Sequence, residues 1–518
     1  MRDAPRIPDM QAQNPAIELR GLTKTFGPVV ANDRINLAVR QGEILALLGE
    51  NGSGKTTLMN MLSGIYRPDS GEIFVQGRPV DIRAPGDAIA LGIGMIHQHF
   101  KLVDVLTAME NIVLGTRDDH QATRRALEQR IREISRRFGL DVTPEKKIYN
   151  MAVGEKQTVE ILKVLYRGAR ILILDEPTAV LTPQEADRLF DILRHMKADG
   201  CAVIIITHKL GEVMAIADRI TILRKGASVA TVEKAATTVR ELTELMVGRP
   251  LDLAIHRPPV DDPKRLLDVF SLTVLNAERV PALRDVTFSL RGGEVLGVAG
   301  VAGSGQRELC ETIAGLMDKE EGAILFHGKN IEGKTPRQII EMGISMSFIP
   351  EDRLGMGLVG AMGIVDNLLL KDYQKGRGPF VRRAPARARA KEMIARLGIV
   401  TPDTRTPVRR LSGGNVQKVL LGREIASGPE LLITAYPVRG LDIHSSYTIY
   451  DLINEQKRKG VGVLFIGEDL DVLLELCDRI LVLCGGEVTG IVRPQETTKA
   501  QLGLMMTGSL RQETGVGA

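Results

Sequence analysis

Two glycine-rich segments, beginning at Gly49 and Gly300, carry the clearest chemistry in this 518-residue chain. The first, residues 49–56, reads Gly-Glu-Asn-Gly-Ser-Gly-Lys-Thr and matches the phosphate-binding loop G-x-x-x-x-G-K-[ST] at every fixed position. The second, residues 300–307, keeps its glycines but has Gln306 and Arg307 where the lysine and the hydroxyl should stand. The pattern therefore predicts one loop that serves nucleotide chemistry and one that has lost it.

The first half supplies each group that phosphoryl transfer to water requires. Lys55 would place a positive charge on the β- and γ-phosphates of ATP, and Thr56 would ligate Mg²⁺. An apolar run at residues 171–174 ends in Asp175 and Glu176. Asp175 would hold the same Mg²⁺, and Glu176 would accept the proton of the attacking water. Together these residues predict a nucleotide hydrolase.

The order of these motifs repeats and sets the domain boundaries. Counterparts of residues 171–177 and 245–248 occur at 431–437 and 504–508. We predict a first domain over residues 17–248, a linker over 249–264 and a second domain over 265–508. The linker contains four prolines between residues 249 and 263, which favours a short extended connection.

The elements that must position these residues alternate along the chain. Short apolar runs at residues 44–48, 171–174 and 202–206 predict strands, and residues 55–64 and 184–197 have helical spacing. Strands that alternate with helices indicate a mostly parallel sheet covered by helices. The predicted fold class is α/β, with two tandem P-loop NTPase domains.

Composition restricts the function classes. No apolar run approaches the roughly 20 residues of a membrane helix, and no signal peptide is recognisable. The four cysteines, Cys201, Cys310, Cys477 and Cys484, lack metal-ligand spacing, which favours reduced thiols in a cytosol. A net charge of +4, no Trp and 3% aromatic residues argue against a nucleic-acid partner.

The segment Leu411-Ser412-Gly413-Gly414-Asn415 resembles the signature Leu-Ser-Gly-Gly-Gln of the ATP-binding cassette transporter ATPases. The resemblance covers residues 17 to 508 and implies a helical subdomain beside each sheet. Tandem cassettes with a crippled second loop are similar to the ATPase subunits of bacterial importers for ribose, galactosides and nucleosides. Residues 94–100, 166–169 and 178–185 look most like the nucleoside-importing branch.

The resemblance implies a composite site, in which the phosphate loop of one cassette faces the signature of the other. Phe26 would then stack on adenine, His208 would donate to the γ-phosphate, and Gln98 would reach the metal and the attacking water. The implied catalytic residues are Lys55, Gln98, Glu176 and His208, and the implied metal ligands are Thr56, Gln98 and Asp175. The implied nucleotide-binding residues are Phe26, Gly49, Glu50, Asn51, Gly52, Ser53, Gly54, Lys55, Thr56, Thr57, Ser412, Gly413, Gly414, Asn415 and Asp442.

Apart from Asn415, the departures from the family pattern fall on the other composite site. Its signature, residues 151–155, reads Met-Ala-Val-Gly-Glu and lacks the serine. The first-half residues Phe26, Gln98, Asp175, Glu176 and His208 correspond to about Asn276, Glu351, Ala435, Tyr436 and Glu468, and Asp442 corresponds to Thr182. We expect no hydrolysis there; whether backbone N–H groups around Gly303 and Gly305 still hold a nucleotide is left open.

The resemblance implies the energising subunit of an importer, peripheral at the cytoplasmic face of the inner membrane. Two integral-membrane permeases would dock near Gln98 and Glu351, and an extracytoplasmic substrate-binding lipoprotein would act indirectly. The alternatives are a soluble tandem-cassette ATPase acting on ribosomes or nucleic acid, disfavoured by the short linker and the single competent site, and an ATP-gated scaffold, disfavoured by the complete catalytic set. One copy per complex is favoured over two, and the transported sugar or nucleoside is left open.

The basic stretch 375–391 is either a solvated face or a contact with anionic lipid or permease.

Overall fold

The computed structural model describes residues 15–97, 100–116, 122–178, 181–207, 209–248, 254–259, 263–348, 357–373, 380–439 and 441–512. The chain forms two compact units that divide between Asp252 and Leu253. This boundary falls inside the segment predicted as a linker.

The first unit contains two sheets with helices around them. Its strands are β1 Ile17–Phe26, β2 Val29–Val39, β3 Ile44–Leu48, β4 Ser70–Val75, β5 Arg78–Val80, β6 Ile93–Ile96, β7 Ile171–Asp175, β8 Ala202–Ile206, β9 Arg219–Arg224 and β10 Ala227–Glu233. Its helices are α1 Lys55–Leu62, α2 Pro85–Ala90, α3 Ala108–Val113, α4 Arg124–Phe138, α5 Val153–Tyr166, α6 Pro183–Ala198, α7 Leu210–Ile216 and α8 Val239–Val247. Within the described ranges the sheet orders are β2-β1-β4-β5 and β10-β9-β3-β8-β7-β6.

The central strands of the larger sheet are buried along their whole length, which explains their unbroken apolar sequences. Every residue of β3 and β8 is buried, and β3 pairs in parallel with both β8 and β9. Strand β7 pairs in parallel with β8 and β6. Parallel strands covered on both faces require such sequences. Because β3 is central, the glycine loop after Leu48 emerges in the middle of the carboxyl edge of the sheet.

The second unit repeats this topology. Its strands are β11 Arg265–Leu275, β12 Pro281–Arg291, β13 Val295–Gly300, β14 Glu321–Phe326, β15 Lys329–Asn330, β16 Ile344–Phe348, β17 Leu431–Ala435, β18 Gly462–Ile466, β19 Arg479–Cys484 and β20 Glu487–Val492. Its helices are α9 Gln306–Ile313, α10 Pro336–Glu341, α11 Ile364–Asp372, α12 Arg383–Leu397, α13 Gly413–Ala426, α14 Ile443–Arg458, α15 Leu470–Leu476 and α16 Lys499–Met506. Within the part of the chain that the structure covers, the sheet orders are β12-β11-β14-β15 and β16-β17-β18-β13-β19-β20.

Part of the predicted linker belongs to the second unit. Ile255 packs against the hydrophobic core of that unit. Arg257 donates to the backbone carbonyl of Cys477 and lies 3.9 Å from the carboxylate of Asp478. Residues 254–259 are therefore anchored to the second unit, which the proline content alone did not indicate.

Two expectations from composition can be compared with the described residues. The four cysteines are free thiols, and Cys201, Cys310 and Cys477 are buried. No helix in the described ranges is long and apolar enough to cross a membrane.

Candidate nucleotide site

The glycine loop of the first unit is shaped by close backbone contacts. Gly52 and Gly54 have φ angles of 80° and 97°, in the left-handed region that favours glycine. A Cβ atom on Gly54 would lie 2.4 Å from the carbonyl oxygen of Ala31. The loop therefore needs glycine at this position, and it leads directly into α1 at Lys55.

Lys55 is buried inside the loop that it follows. Its Nζ donates to the carbonyl oxygens of Gly49, at 2.7 Å, and Glu50, at 3.0 Å. Burial lowers the pKa of Lys55, and the carboxylates of Glu176 and Asp175 act in the opposite direction. The ammonium group thus sits in a hollow lined by backbone, where phosphate oxygens could replace the carbonyl groups.

Asp175 and Glu176 lie at the carboxyl end of β7, and the charges of both carboxylates interact with the ammonium group of Lys55. Burial, followed by the charge of Glu176, raises the pKa of Asp175 to about 6, while Lys55 lowers it. Glu176 adopts a left-handed φ of 46°, and its N–H donates to the carbonyl of Ile206 at 2.9 Å. The structure therefore brings together Lys55, Asp175 and Glu176, as the sequence predicted.

The oxygen atoms at this edge suit Mg²⁺. Asp175 and Glu176 place two negative charges side by side in a half-buried position. Burial is the first cause of the raised pKa of Asp175, and the charge of Glu176 is the second. Thr56 is exposed at the second residue of α1. Carboxylate and hydroxyl oxygens are ligands that Mg²⁺ prefers. Asp175 and Thr56 therefore fit the metal-binding role assigned to them.

Phe26 is at the end of β1 and remains 43% exposed, so it is not a core aromatic. Its ring meets the ring of Tyr66 edge to face, with centroids 5.2 Å apart. Asp69 fixes this strand end, because it accepts from the Thr25 N–H at 2.7 Å and from the Lys24 Nζ at 2.9 Å. Tyr66, which follows α1, is not among the site residues predicted from the sequence, although its ring contacts that of Phe26.

The second unit keeps the backbone of the phosphate loop but fills it differently. Gly303 and Gly305 have φ angles of 85° and 97°, close to those of the first loop. The buried Gln306 donates from Nε2 to the carbonyl of Val301 at 3.1 Å, in the position of Lys55. Arg307 is paired with Glu311 at 2.7 Å. The neutral amide of Gln306 donates a hydrogen bond to a loop carbonyl, as Lys55 does, but it has no positive charge to bind phosphate.

Tyr436 occupies the position of the general base in the second unit. Burial, followed by the nearby Glu468 carboxylate, raises the pKa of Tyr436 to about 12. The guanidinium of Arg439 lies 5.9 Å from the Tyr436 ring and 3.4 Å from Glu468. Ala435, in the position of Asp175, is fully buried. This edge has no carboxylate on β17 to hold a metal ion.

The signature segment of the second unit has an ordered serine. Ser412 precedes the first turn of α13, and the Asn415 side chain donates to its Oγ at 2.8 Å. Asn415 also accepts from the N–H of Val400 at 3.0 Å. The asparagine that departs from the family signature therefore positions the serine and ties it to the loop after α12.

In the first unit the same helix start is capped in another way. Ala152 precedes α5, and Glu155 accepts from the Ala152 N–H at 2.8 Å. Lys146 pairs with the same carboxylate at 2.7 Å. The segment thus presents an ion pair where the second unit presents a hydroxyl.

Asp442 has a local role that the sequence analysis did not foresee. It precedes α14 and accepts from the Ser445 N–H at 2.8 Å and from the Ser445 hydroxyl at 2.7 Å. Thr182 caps α6 at the corresponding position. Gln98, His208 and Glu351 lie outside the described residues, as do Lys375 and Arg377 of the basic stretch.

Comparison with known proteins identifies the family. The family model described as ABC transporter matches residues 32–179 and 283–437, one match in each unit. The chain belongs to the ATP-binding cassette transporter family. As predicted, it consists of two tandem P-loop cassettes and is the ATP-binding, ATP-hydrolysing subunit of an importer.

Three relatives align over 96% of this chain. The guanosine import ATP-binding protein NupO of Bacillus subtilis is 44% identical and is covered to 98%. The nucleoside import ATP-binding protein NupA of Lactococcus lactis is 41% identical and is covered to 99%. A ribose import ATP-binding protein, RbsA 1 of Rubrobacter xylanophilus, is 40% identical and is covered to 99%. These relatives do not favour the alternative of a ribosome- or nucleic-acid-directed ATPase.

Proposed function

We propose that this chain lies at the cytoplasmic face of the inner membrane and energises the import of a nucleoside. A simple sugar is the alternative substrate. The names of the relatives support this substrate class. Of the three, the guanosine import and the nucleoside import ATP-binding proteins are 44% and 41% identical to this chain, and the ribose import ATP-binding protein is 40% identical. Two permease subunits would form the pathway, and an extracytoplasmic binding lipoprotein would deliver the substrate to them.

One observation carries the assignment of a single hydrolytic centre. Lys55, Asp175 and Glu176 are electrostatically coupled at one sheet edge of the first unit. The matching edge of the second unit has the same strand order but Ala435 and Tyr436 in place of the carboxylates. One chain would therefore hydrolyse ATP at one place.

In the proposed mechanism each residue acts on a stated atom. The Lys55 ammonium binds phosphate oxygens in place of the carbonyl oxygens of Gly49 and Glu50, to which it donates in this structure. Glu176 takes a proton from the attacking water, and the hydrogen bond from its own N–H to the carbonyl of Ile206 holds its backbone at the end of β7. Asp175 and Thr56 would hold Mg²⁺, which neutralises charge that develops on the phosphate groups.

We further propose that Ser412, Gly413 and Gly414 complete this site, as the family pattern implies. The ordered Ser412 hydroxyl supports the proposal, because Asn415 already holds it at 2.8 Å. The corresponding segment of the first unit agrees with the proposal. Ala152 has no hydroxyl, and the start of α5 is occupied by the ion pair of Glu155 and Lys146.

The experiment is steady-state ATPase measurement on the chain assembled with its membrane subunits in lipid, with binding protein present. Guanosine, ribose and glucose are added in separate reactions. Stimulation by guanosine above the two sugars is expected. Stimulation only by a sugar would reassign the substrate, and a rate that responds to none of them but to RNA would overturn the importer assignment.

A further inference from the structure

The start of α12 in the second unit carries positive charge that the nucleotide chemistry does not use. Residues 380–391 contain five cationic side chains and no acidic one. Arg382, Arg387 and Lys391 are exposed, and they form no ion pair with any described residue. Cations that are gathered on one exposed segment without acidic neighbours attract an anionic partner.

These cations lie on the solvent side of α12. Arg387 and Lys391 are four residues apart, so they lie one helical turn apart on the same face. The buried face of the helix is formed by Ala386, Ala390, Met393 and Leu397. The packing of α12 therefore comes from residues other than the exposed cations.

The charge at the start of α12 opposes the electrostatics of the helix. Arg382 directly precedes α12, Arg383 is its first residue, and no side chain caps this end. A helix start carries a partial positive charge, which disfavours cations and favours a capping Ser, Thr, Asp or Asn. In the first unit Thr123 stands at the position of Arg382 and accepts from the Ala126 N–H. The second unit lacks this cap and carries a charge instead, which indicates a role other than helix stability.

Exposed apolar side chains stand beside these cations. Phe380 is 86% exposed and Val381 is 53% exposed. At this exposure the Phe380 ring projects from the surface and does not line a cleft. Projecting apolar side chains next to arginines are typical of segments that rest on a membrane, where the apolar groups enter the acyl boundary and the cations meet the headgroups.

Helix α11 adds apolar surface to the same region. Asp366, Leu370 and Tyr373 follow one another at spacings of four and three residues, which places them on one helical face. Leu370 and Tyr373 are 42% and 53% exposed. The guanidinium of Arg383 lies 2.9 Å from the Asp366 carboxylate. The start of α12 therefore contacts an exposed, partly apolar face of α11.

The corresponding helix of the first unit has a different surface. Helices α4 and α12 both have 15 residues. The fifth residue of α4 is Glu128, which pairs with Arg124 at 3.0 Å, whereas the fifth residue of α12 is Arg387. Ala122 stands at the place of the exposed Val381. The combination of unpaired cations and exposed apolar side chains is thus specific to the second unit and is not required by the fold.

We propose that Phe380, Val381, Arg382, Arg387 and Lys391 form a membrane-contact patch that rests on anionic lipid headgroups of the cytoplasmic leaflet, and that the first unit does not make this contact. A lipid surface fits better than a folded partner, because a projecting ring needs no matching pocket in fluid lipid and exposed cations meet headgroup phosphates in any orientation. This inference rests on the proposed function, since it requires the chain to lie at the membrane.

The test measures sedimentation of the purified full-length chain with lipid vesicles. One set of vesicles contains phosphatidylcholine alone, and the other contains phosphatidylcholine mixed with the anionic phosphatidylglycerol. Binding to the anionic vesicles is expected, and it should weaken as the salt concentration rises. Equal binding to both sets, or binding to neither, would overturn the inference.

A charge variant tests the cations of the membrane-contact patch. It combines Arg382→Gln, Arg387→Gln and Lys391→Gln. Each cation near an anionic surface contributes about 1 kcal/mol, so affinity for the anionic vesicles should fall about fivefold per charge and about a hundredfold in all.

A matched control removes the same number of charges from the first unit. It combines Arg125→Gln, Arg132→Gln and Arg136→Gln, three exposed residues of α4. This control has the same net charge as the patch variant and should bind within about twofold of the parent, because distant charges are screened. Equal losses in the two variants would show adsorption through net charge alone and would overturn the inference.

A third variant tests the aromatic ring without changing the charge. Phe380→Ser should lower affinity for the anionic vesicles about fivefold or more, because the apolar surface that enters the lipid is lost. Its thermal stability should equal that of the parent, since the ring is exposed. Parental affinity in Phe380→Ser would contradict the role assigned to the ring.

Assembly in neutral detergent distinguishes lipid from a protein partner. The charge variant should co-purify with the permeases as the parent does. Loss of co-purification together with parental vesicle binding would assign the patch to a permease and overturn the inference. Substrate-stimulated ATPase activity is measured separately on the parent complex. Stimulation without vesicle binding would refute only the lipid contact, whereas absence of stimulation would count against the proposed importer function.

Discussion

Glu176 and Tyr436 share one backbone conformation although they share no chemistry. Their φ angles are 46° and 54°, and each donates its N–H to the last residue of the adjacent strand, Ile206 at 2.9 Å and Ile466 at 2.8 Å. A left-handed φ costs a non-glycine residue of order 1 to 3 kcal/mol. The turn is therefore a property of the fold, and catalysis in the first unit depends on the side chain that the turn presents.

The first prediction replaces that side chain. Glu176→Gln should retain ATP binding and lower turnover by roughly two to four orders of magnitude, because the amide cannot accept the proton of the attacking water. Steady-state ATPase assays and nucleotide binding on the assembled complex measure the two effects. The matched control is Tyr436→Phe, which keeps the packing and should leave the rate nearly unchanged; a comparable loss there would show that the second unit also turns over.

The second prediction exchanges the residues that follow the two glycine loops. Lys55→Gln should keep the fold, since Gln306 already satisfies the same loop through its bond to Val301. It should weaken ATP binding at least about tenfold, because a charge-assisted contact with phosphate is lost. Gln306→Lys should not restore a second hydrolytic site, since Ala435 and Tyr436 still lack carboxylates. Calorimetric binding and ATPase rates decide, and a doubled rate in Gln306→Lys would refute the single-centre assignment.

The fold followed from patterns that burial enforces. The runs at residues 44–48 and 202–206 are strands with those bounds, and the helix predicted over 184–197 extends over Pro183–Ala198. Strands buried on both faces must be apolar throughout, so their sequences are unambiguous. The anchoring of residues 254–259 could not be predicted from local sequence, because it depends on the contact between Arg257 and the distant Cys477.

The candidate site was predictable where a chemical role demands one residue type at a fixed spacing. Lys55, Asp175 and Glu176 satisfy that condition and do converge. The helix cap of Asp442 and the Asn415 contact with Ser412 do not follow from the nucleotide-binding role expected of these residues, since both depend on neighbours that only the folded chain shows.

The third prediction concerns the raised pKa of Asp175. The folded value of about 6 lies above the ordinary 3.8, so the folded protein binds this proton more tightly than the unfolded chain. Stability should therefore fall as the pH rises from about 4 to about 6 and stay lowered above that. Asp175→Asn should remove this loss and stabilise the nucleotide-free protein at pH 7.5 by about 1 to 3 kcal/mol. Thermal unfolding at pH 5 and pH 7.5 tests it; equal pH dependence in variant and parent would disprove the assignment.

The fourth prediction separates the two roles of Asp442. Asp442→Ala should destabilise the second unit by about 0.5 to 2 kcal/mol, because the cap on Ser445 is lost. Asp442→Ser keeps a capping oxygen and should melt close to the parent. If the carboxylate also serves the ATP site, Asp442→Ser should still lower the ATPase rate about fivefold or more. A parental rate in Asp442→Ser would confine this residue to its structural role.

The last prediction tests whether the signature of the second unit serves the phosphate loop of the first. The Ser412 hydroxyl would then make a charge-assisted hydrogen bond to the γ-phosphate, worth roughly 1.5 to 3 kcal/mol. Ser412→Ala should lower hydrolysis about one to two orders of magnitude while the affinity of the nucleotide-free chain for ATP hardly changes.

The matched variant in the first unit is Ala152→Ser. It restores a hydroxyl at the start of α5 without disturbing the hydrogen bond from the Ala152 N–H to Glu155. It should leave the rate nearly unchanged, because the site that this segment would face has Tyr436 in place of a base. ATPase rates of both variants, measured with permeases present, decide between the pairings. Equal rates, or a larger effect at Ala152, would mean that the half-sites are joined in another way.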